Sequence, residues 1–350
     1  MKFLALLICS LFFSTLLQSQ DKVSIPLKMT SILQDSIRIR ALIVQEEGMY
    51  YAGTQGKYGF VPYQITDDIH IGAVEKFQMK NDTLEFRAIA ANTSHLFLLS
   101  IGSPAYLFKI DKKSKKCKLV YTDQNPGAFY DSMQFYNDQE GIAMGDPTDS
   151  CISVITTRDG GNSWSKIPCN RLPKVVKGEA AFAASDTNIA IVGDNTWLLS
   201  GGKVTRVYYS KDKGKSWDVF STPLKKGKPT TGGYSIDFYD ATTGFIIGGD
   251  YTNPWNTKRN KAMTMDGGKT WSLTANKKLP NYKSCIQYTP NSKARVLTAV
   301  GFTGIDVSTD GGMNWHHLSD QSFYTLRFIN KDYAVAAGRN VLSLLRFSSN

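Results

Sequence analysis

The chain has 350 residues, 42% of them hydrophobic, and 41 Lys and Arg against 30 Asp and Glu give a formal charge of +11; it is long enough to bury a large core. There is no Cys-x-x-Cys pair and only four His, two of them adjacent at His316-His317, which argues against a zinc site or any other resident metal. No dinucleotide-type Gly motif opens a helix and no haem or metal set occurs, so no cofactor and no redox enzyme is implied.

Residues Met1 to Gln20 read as a signal peptide: Lys2 is the basic segment, Phe3 to Leu17 the apolar run, and Leu17-Gln-Ser19 the cleavage site. The apolar run is too short for a membrane anchor, and bulky Ile8 before Cys9 argues against lipidation there. The mature protein, residues 21–350, is therefore expected to be periplasmic or secreted, monomeric, and without an integral membrane segment.

One octad then recurs four times. Thr157-Arg-Asp159-Gly-Gly161-Asn-Ser163-Trp164 returns as Ser210-Lys-Asp212-Lys-Gly214-Lys-Ser216-Trp217, Thr264-Met-Asp266-Gly-Gly268-Lys-Thr270-Trp271 and Ser308-Thr-Asp310-Gly-Gly312-Met-Asn314-Trp315, at offsets of 53, 54 and 44. That is the period of a four-stranded propeller blade. Each copy reads as a hairpin: Asp bonds backbone N–H groups just ahead, Gly supplies positive φ, and Trp opens the next strand between neighbouring sheets.

A second repeat extends the first. Apolar residues run into a Gly at Tyr51-Ala-Gly53, Ser100-Ile-Gly102, Ala143-Met-Gly145, Ile191-Val-Gly193, Ile247-Gly-Gly249, Ala299-Val-Gly301 and Ala336-Ala-Gly338. Each follows an alternating segment and a turn, as the end of a blade's second strand does. Seven blades follow: Ile37 to Phe77, Leu84 to Tyr121, Tyr130 to Ile167, Glu179 to Phe220, Tyr234 to Leu273, Tyr282 to Leu318, and Phe323 onward. The last supplies only three strands, and an open edge invites aggregation. Val23 to Met29, with Pro26 tolerable at an edge, is expected to supply the fourth and close the ring. The expected fold class is all-β: one seven-bladed β-propeller domain.

The octads resemble the Asp-box of sialidases and other secreted propellers, where it folds the turn between third and fourth strands away from the ligand face. Leu84-Glu-Phe-Arg87-Ala-Ile, Ser100-Ile-Gly-Ser-Pro104-Ala, Gly141-Ile-Ala-Met-Gly-Asp146-Pro and Gly178-Glu179-Ala-Ala-Phe-Ala-Ala-Ser185, together with the four boxes, are similar to bacterial propellers related to photosystem II stability/assembly factors. Members are often labelled oxidoreductase or BNR-repeat glycosyl hydrolase. The resemblance implies the fold; fold does not carry function.

Cys151 and Cys169 flank the first box symmetrically, so the hairpin brings them close to opposite one another. In an oxidising compartment they form a disulfide or remain two half-buried thiols. Lysines cluster at Lys112-Lys113-Ser-Lys115-Lys116, Lys225-Lys226-Gly-Lys228 and Lys277-Lys278, in turns and loops. Solvated loops account for this diffuse charge, an anionic partner being the other reading. The export signal and the lack of a binding motif argue against nucleic acid.

The face opposite the boxes is where propellers bind. It is expected to collect Asp146, Asp194, Asp250 and, in blade seven, Arg339, all just after the repeat Gly. Glu179, Tyr130, Asp131, Tyr234, Tyr282 and Lys283 begin blades there, Arg206 begins a third strand, and Arg40 and Arg87 point into the channel. One reading is a scaffold for a protein, peptide or glycan, with Arg40, Arg87 and Arg206 offering forked donors to carboxylates. The other is a glycosidase using two of Glu179, Asp146 and Asp250, which must stand about 5–9 Å apart. Sialidase chemistry is not expected, since Ile37-Arg38-Ile39-Arg40 carries only part of the N-terminal pattern and no Tyr nucleophile can be assigned. Asp194 can equally cap a turn, Glu179 can pair with Arg206 or Arg87, and Trp197 and Trp255 either stack on sugars or fill loops.

Overall fold

Alternating apolar residues set the strands, and tight turns set their antiparallel pairing. The computed structural model describes residues 25–347; the signal segment lies outside them. Among the described residues the only helix is a short turn, Cys169–Arg171.

Four-stranded sheets follow one another along the chain. Phe86–Ala91, His95–Ser100, Ala105–Asp111 and Cys117–Asp123 form one, and Tyr130–Phe135, Gly141–Gly145, Ser153–Thr157 and Ser165–Lys166 the next. Ile189–Val192, Asn195–Leu199, Arg206–Ser210 and Asp218–Ser221 make a third, while a fourth runs from Thr231–Phe238 through Gly244–Asp250 and Lys261–Thr264 to Ser272–Leu273 and is extended at its Thr231 edge by two short strands, Gly201–Gly202 and Glu179–Ala180. Cys285–Tyr288, Leu297–Gly301, Gly304–Ser308 and His316–Ser319 form a fifth.

The long strand Lys28–Gln45 serves two sheets. Its second half pairs with Gly48–Gly53, which leads to Lys57–Ile65 and Glu75–Gln78. Its first half pairs with Arg339–Arg346, the last strand of the chain, in the register Lys28↔Arg346 to Gln34↔Val341. The pairing includes Lys28 and Met29 of the segment expected to cover that edge and continues past it to Gln34; Val23 and Ser24 lie outside the described residues. The first strand of each sheet lies against that of the next, and Thr325–Phe328 lies against the long strand.

The core is divided among the gaps between sheets. Tyr50, Ala52 and Tyr58 meet Phe86, Ile89 and Leu98 in one gap, and Leu199, Trp197 and Val207 meet Ile236, Phe238 and Trp271 in another. Each buried aromatic or aliphatic side chain contributes roughly 1.5–3 kcal/mol through removal of apolar surface from water.

The four octads fold alike. In each, the first hydroxyl donates to the Asp Oδ1 at 2.8–2.9 Å and accepts the N–H of the Gly four residues on at 2.8–3.0 Å. The same Oδ1 accepts the N–H four residues on, at 2.8–3.0 Å. Trp217, Trp271 and Trp315 donate Nε1–H to the carbonyls of Gly214, Gly268 and Gly312. Trp164 finds no such partner. Gly161 and Gly312 sit at φ +75° and +89°, and a Cβ there would stand 2.2 and 2.3 Å from Phe97 and Phe245 of the preceding sheet. Glycine is required because each turn seats directly on its neighbour's aromatic.

A disulfide joins Cys151 and Cys169, Cα atoms 5.3 Å apart, across the first octad's hairpin. The sheet that begins at Ile189 departs from expectation. Gly193, at φ +61°, lies in the turn between its first and second strands, so Ile191-Val-Gly193 does not end a second strand. Blade four was expected to open on Glu179 and the strand Ala180-Ala-Phe-Ala-Ala184; only Glu179–Ala180 pairs, with Gly201–Gly202, and Ala181 to Asn188 form no strand.

Candidate functional site

Ala181 to Asn188 leaves the sheet because its polar backbone is satisfied elsewhere. Four consecutive carbonyls are held by three arginines from three other first strands. Arg87 donates to Ala183 at 3.3 Å and Arg40 to Ala184 at 3.0 Å; Arg327 donates to Ser185 at 3.3 Å and Asp186 at 2.9 Å. The Asp186 carboxylate accepts the N–H groups of Ile89 and Met133, both at 3.0 Å. Ser185 donates to the Ser284 carbonyl and Thr325 to that of Ser185. The segment is a septum gripped from several sides. Arg327 was not singled out in the sequence, yet Leu326-Arg327-Phe328 carries the same signal as Arg40 and Arg87, a lone Arg on an apolar first strand.

A cavity lies on either side of the septum. One, of about 270 Å³, is lined by Gln45, Gln134, Gln287, Asp186 and Arg327. The other, of about 350 Å³, opens on the side away from the octad turns. Its wall holds Arg40, Arg87, Phe129, Phe182, Tyr234, Tyr282 and Tyr324. Phe182 stacks on Tyr234 at 4.1 Å, Tyr282 meets Tyr234 edge-on at 4.9 Å, and Tyr251 and Phe302 continue the aromatic wall outward.

The Arg40 guanidinium stands 3.9 Å over the Tyr324 ring and its Nε is buried without a partner. Burial, and then the charge of Arg87, lowers the Arg40 pKa from its ordinary value. Arg87 is held by Glu85 at 2.7 Å. The cup therefore presents two partly desolvated guanidiniums among aromatic faces, suited to a carboxylate beside an apolar or planar group.

Of the expected site residues, Arg40, Arg87, Tyr234 and Tyr282 meet in this cup. The others do not. Glu179 is buried in its sheet, where it accepts from Ser200 at 2.6 Å, Tyr208 at 3.0 Å, Val176 N–H at 3.0 Å and Arg206 at 2.5 and 3.1 Å. Every acceptor position is taken, which fits an anchor for Arg206 rather than a proton donor. Asp250 accepts from the hydroxyls of Thr230 and Thr252 and from Thr252 N–H. Burial pushes its pKa up, but those bonds outweigh burial and hold it below the usual range. Asp146 accepts the Ala181 N–H at 2.7 Å, and burial raises its pKa. Asp131 is fully buried; burial and then Asp146 raise its pKa well above the usual value.

Lys283 is wholly buried against Asp306. Arg339 is exposed beside the joint of the first and last strands. Asp194 is on the octad side, its carbonyl accepting Lys213 N–H at 2.9 Å, because Gly193 belongs to a first hairpin. Trp197 is fully buried, stacked 3.6 Å from Phe238 with Nε1–H donated to Gly267, and so is core. Trp255 is 72% exposed on the cavity side. Among the described residues no three His, Cys, Asp or Glu converge as metal ligands.

Because Glu179 is an anchor, Glu179→Gln is expected to cost about 1–3 kcal/mol through loss of charge-assisted bonds to Arg206. A fall in the urea midpoint at constant slope reads this; an unchanged midpoint shows that the carboxylate is not structural.

Sheets radiating from first strands that lie side by side, with an axial cup on one side, define a β-propeller. No protein-family model and no curated protein matches the sequence. Solved structures do. The structure described as YCF48 bound to D1 peptide is similar at TM-score 0.64 and 10% identity, over 95% of this chain and all of that one. YCF48 from Cyanidioschyzon merolae is similar at 0.61 and 11%, over 91% and 98%. The WD40 β-propeller domain of Doa1 is similar at 0.62 and 10%, over 93% and 98%. Among the described residues no helix is long and apolar enough to cross a membrane.

Proposed function

We propose that this chain is an exported, seven-bladed Asp-box propeller, closed by its N-terminal strand, that works as a binding or assembly scaffold through its axial cup. Pairing of Lys28–Gln34 with the last strand and the side-by-side first strands support ring closure. The Cys151–Cys169 disulfide and the leader sequence support export. One similar structure contains a bound peptide, which supports a peptide from a protein partner as the cup's occupant. The observation that carries this reading is the pair Arg40 and Arg87 at an aromatic, open cavity. Bidentate donors amid aromatic faces select a carboxylate flanked by a planar or apolar side chain.

A glycosidase is the weaker reading, since Glu179, Asp146 and Asp250 are each committed to backbone, threonine or arginine partners. The test is selection of the purified protein against a random peptide display library. Enrichment of acidic, aromatic-containing peptides is expected, with affinity falling at least about tenfold in Arg87→Ala, as for loss of one charged hydrogen-bonding group. No enrichment, or enrichment indifferent to Arg87→Ala in a variant with wild-type circular dichroism, overturns the reading.

A further inference from the structure

The surplus charge, diffuse along the sequence, is gathered in space. Five loops on the cup side lie edge to edge. Lys203 N–H bonds the Gly178 carbonyl, Gly227 N–H that of Gly202, and Lys225 N–H that of Arg259. Arg259 N–H bonds the Asn276 side chain, Lys277 N–H the Thr257 carbonyl, and Tyr282 N–H that of Pro254. The result is a continuous shelf flanking the cup.

Its charge has one sign. The loop at 172–178 supplies Lys174 and Lys177, and Lys203 follows. The stretch at 222–230 adds Lys225, Lys226 and Lys228; 251–260 adds Lys258 and Arg259; 274–281 adds Lys277 and Lys278. No Asp or Glu occurs in any of these stretches. All ten cations except half-buried Lys225 are exposed, and none forms an ion pair with a described residue. These ten nearly equal the whole formal excess of +11.

From the same shelf large apolar side chains stand into solvent, Trp255 at 72% exposure, Tyr251 at 47%, Val176 at 43% and Leu279 at 40%, and Phe302 at 41% joins them from the adjoining wall of the cup. Solvated loops have no reason to hold aromatic tips outward between lysines. A headgroup layer supplies both complements: anionic phosphates for the lysines and an acyl boundary for Trp, Tyr, Phe and Leu.

We infer that this shelf docks the protein on the surface of an anionic phospholipid bilayer, with Trp255 inserted at the headgroup level and the cup facing the membrane. An acidic protein or a nucleic acid would meet the charge but would leave the scattered aromatic tips unburied.

Flotation with phosphatidylglycerol vesicles, compared with phosphatidylcholine vesicles, tests this on the full mature chain. Binding to the first and not the second is expected, with a blue shift of tryptophan emission, because Trp164, Trp197, Trp271 and Trp315 are already buried. Trp255→Phe abolishes most of the blue shift, and Trp255→Ala also weakens partition. The combination Lys226→Glu, Lys228→Glu, Lys277→Glu, Lys278→Glu lowers partition by on the order of a hundredfold or more. All these positions are exposed, so wild-type circular dichroism is retained. Absence of binding at low salt overturns the inference. So does binding indifferent to these variants, or vesicle binding without a blue shift that an RNA oligonucleotide competes away, which marks a polyanion contact only. Arg87→Ala leaves vesicle partition unchanged, so failure at the cup and failure of the shelf are read separately.

Discussion

Lys283→Met is expected to lower the stability of the fold by about 3–5 kcal/mol, the cost of leaving a buried charge without its partner. Neither Lys283 nor Asp306 exposes any surface. The ammonium stands 2.5 Å from Asp306 Oδ2 and donates to Thr303 Oγ1 at 3.0 Å and to the carbonyls of Thr303 and Gly304 at 3.2 and 3.1 Å. It thus ties the strand that begins the sheet at Cys285 to the turn between the second and third strands. Without it Asp306 keeps only His317 Nδ1, at 3.1 Å, on its other oxygen. Met fills the stem's volume, so the loss reports charge rather than a cavity. Lys283→Met/Asp306→Leu is expected to recover at least half of the loss, because an ion pair replaced by apolar groups is close to neutral. Equilibrium denaturation measures both. A single-variant cost under about 1 kcal/mol, typical of a solvated pair, sinks the argument.

Lys283 also marks where sequence reasoning stops. Its place at the start of a blade was legible, and from there it was assigned to the loop face with Tyr282. Tyr282 does reach the cup, but both residues precede the first strand, which begins at Cys285, and Lys283 turns back onto Thr303, Gly304 and Asp306 of its own sheet. The octads were fully legible because their hydrogen bonds are local, running between residues two to four apart. Arg40 and Arg87 were legible as lone charges on apolar strands. The septum was not. Its carbonyl partners Arg40, Arg87 and Arg327 lie between 96 and 144 residues away, and nothing local distinguishes Ala181 to Ser185 from an ordinary small-residue strand. Gly193 shows the converse failure. Two apolar residues followed by Gly describe a strand end and a hairpin turn equally well, and the repeat spacing, stretched by the septum, favoured the wrong one. The shelf was hidden for a third reason: its lysines are dispersed over more than a hundred residues and become neighbours only when successive loops stack.

The septum also predicts how stability responds to pH. Burial pushes Asp186 and Asp237 up to about 7, against the partly opposing charge of Arg327 and the N–H groups each accepts. Asp131 is raised in the same direction. Between the usual carboxyl range and about 7 the folded protein therefore holds more protons than the unfolded chain, and stability falls as pH rises through that window. Lys261 is the mirror case. Enclosed by the carbonyls of Lys278 and Pro280 and the side chain of Asn260, it is pushed by burial down to about 7. Above that pH the unfolded chain holds the extra proton, so stability rises again. The expected profile has a minimum near neutrality, each group being worth on the order of 4 kcal/mol at most between its two protonation states. Asp159, Asp212, Asp266 and Asp310 oppose this at the acid end. Hydrogen bonds within the octads outweigh burial and hold them low, Asp212 at about 2, so their contribution is lost only as pH falls below the usual carboxyl range. The optimum on the acid side is thus expected near pH ~5, where the buried acids are protonated and the octads still charged. Urea midpoints taken across the range test it. Asp186→Asn and Asp237→Asn should flatten the limb below neutrality, and Lys261→Met the limb above it. A midpoint that climbs steadily from about pH 5 to neutrality would show that these carboxyls ionise freely in the fold and that the septum is open to water.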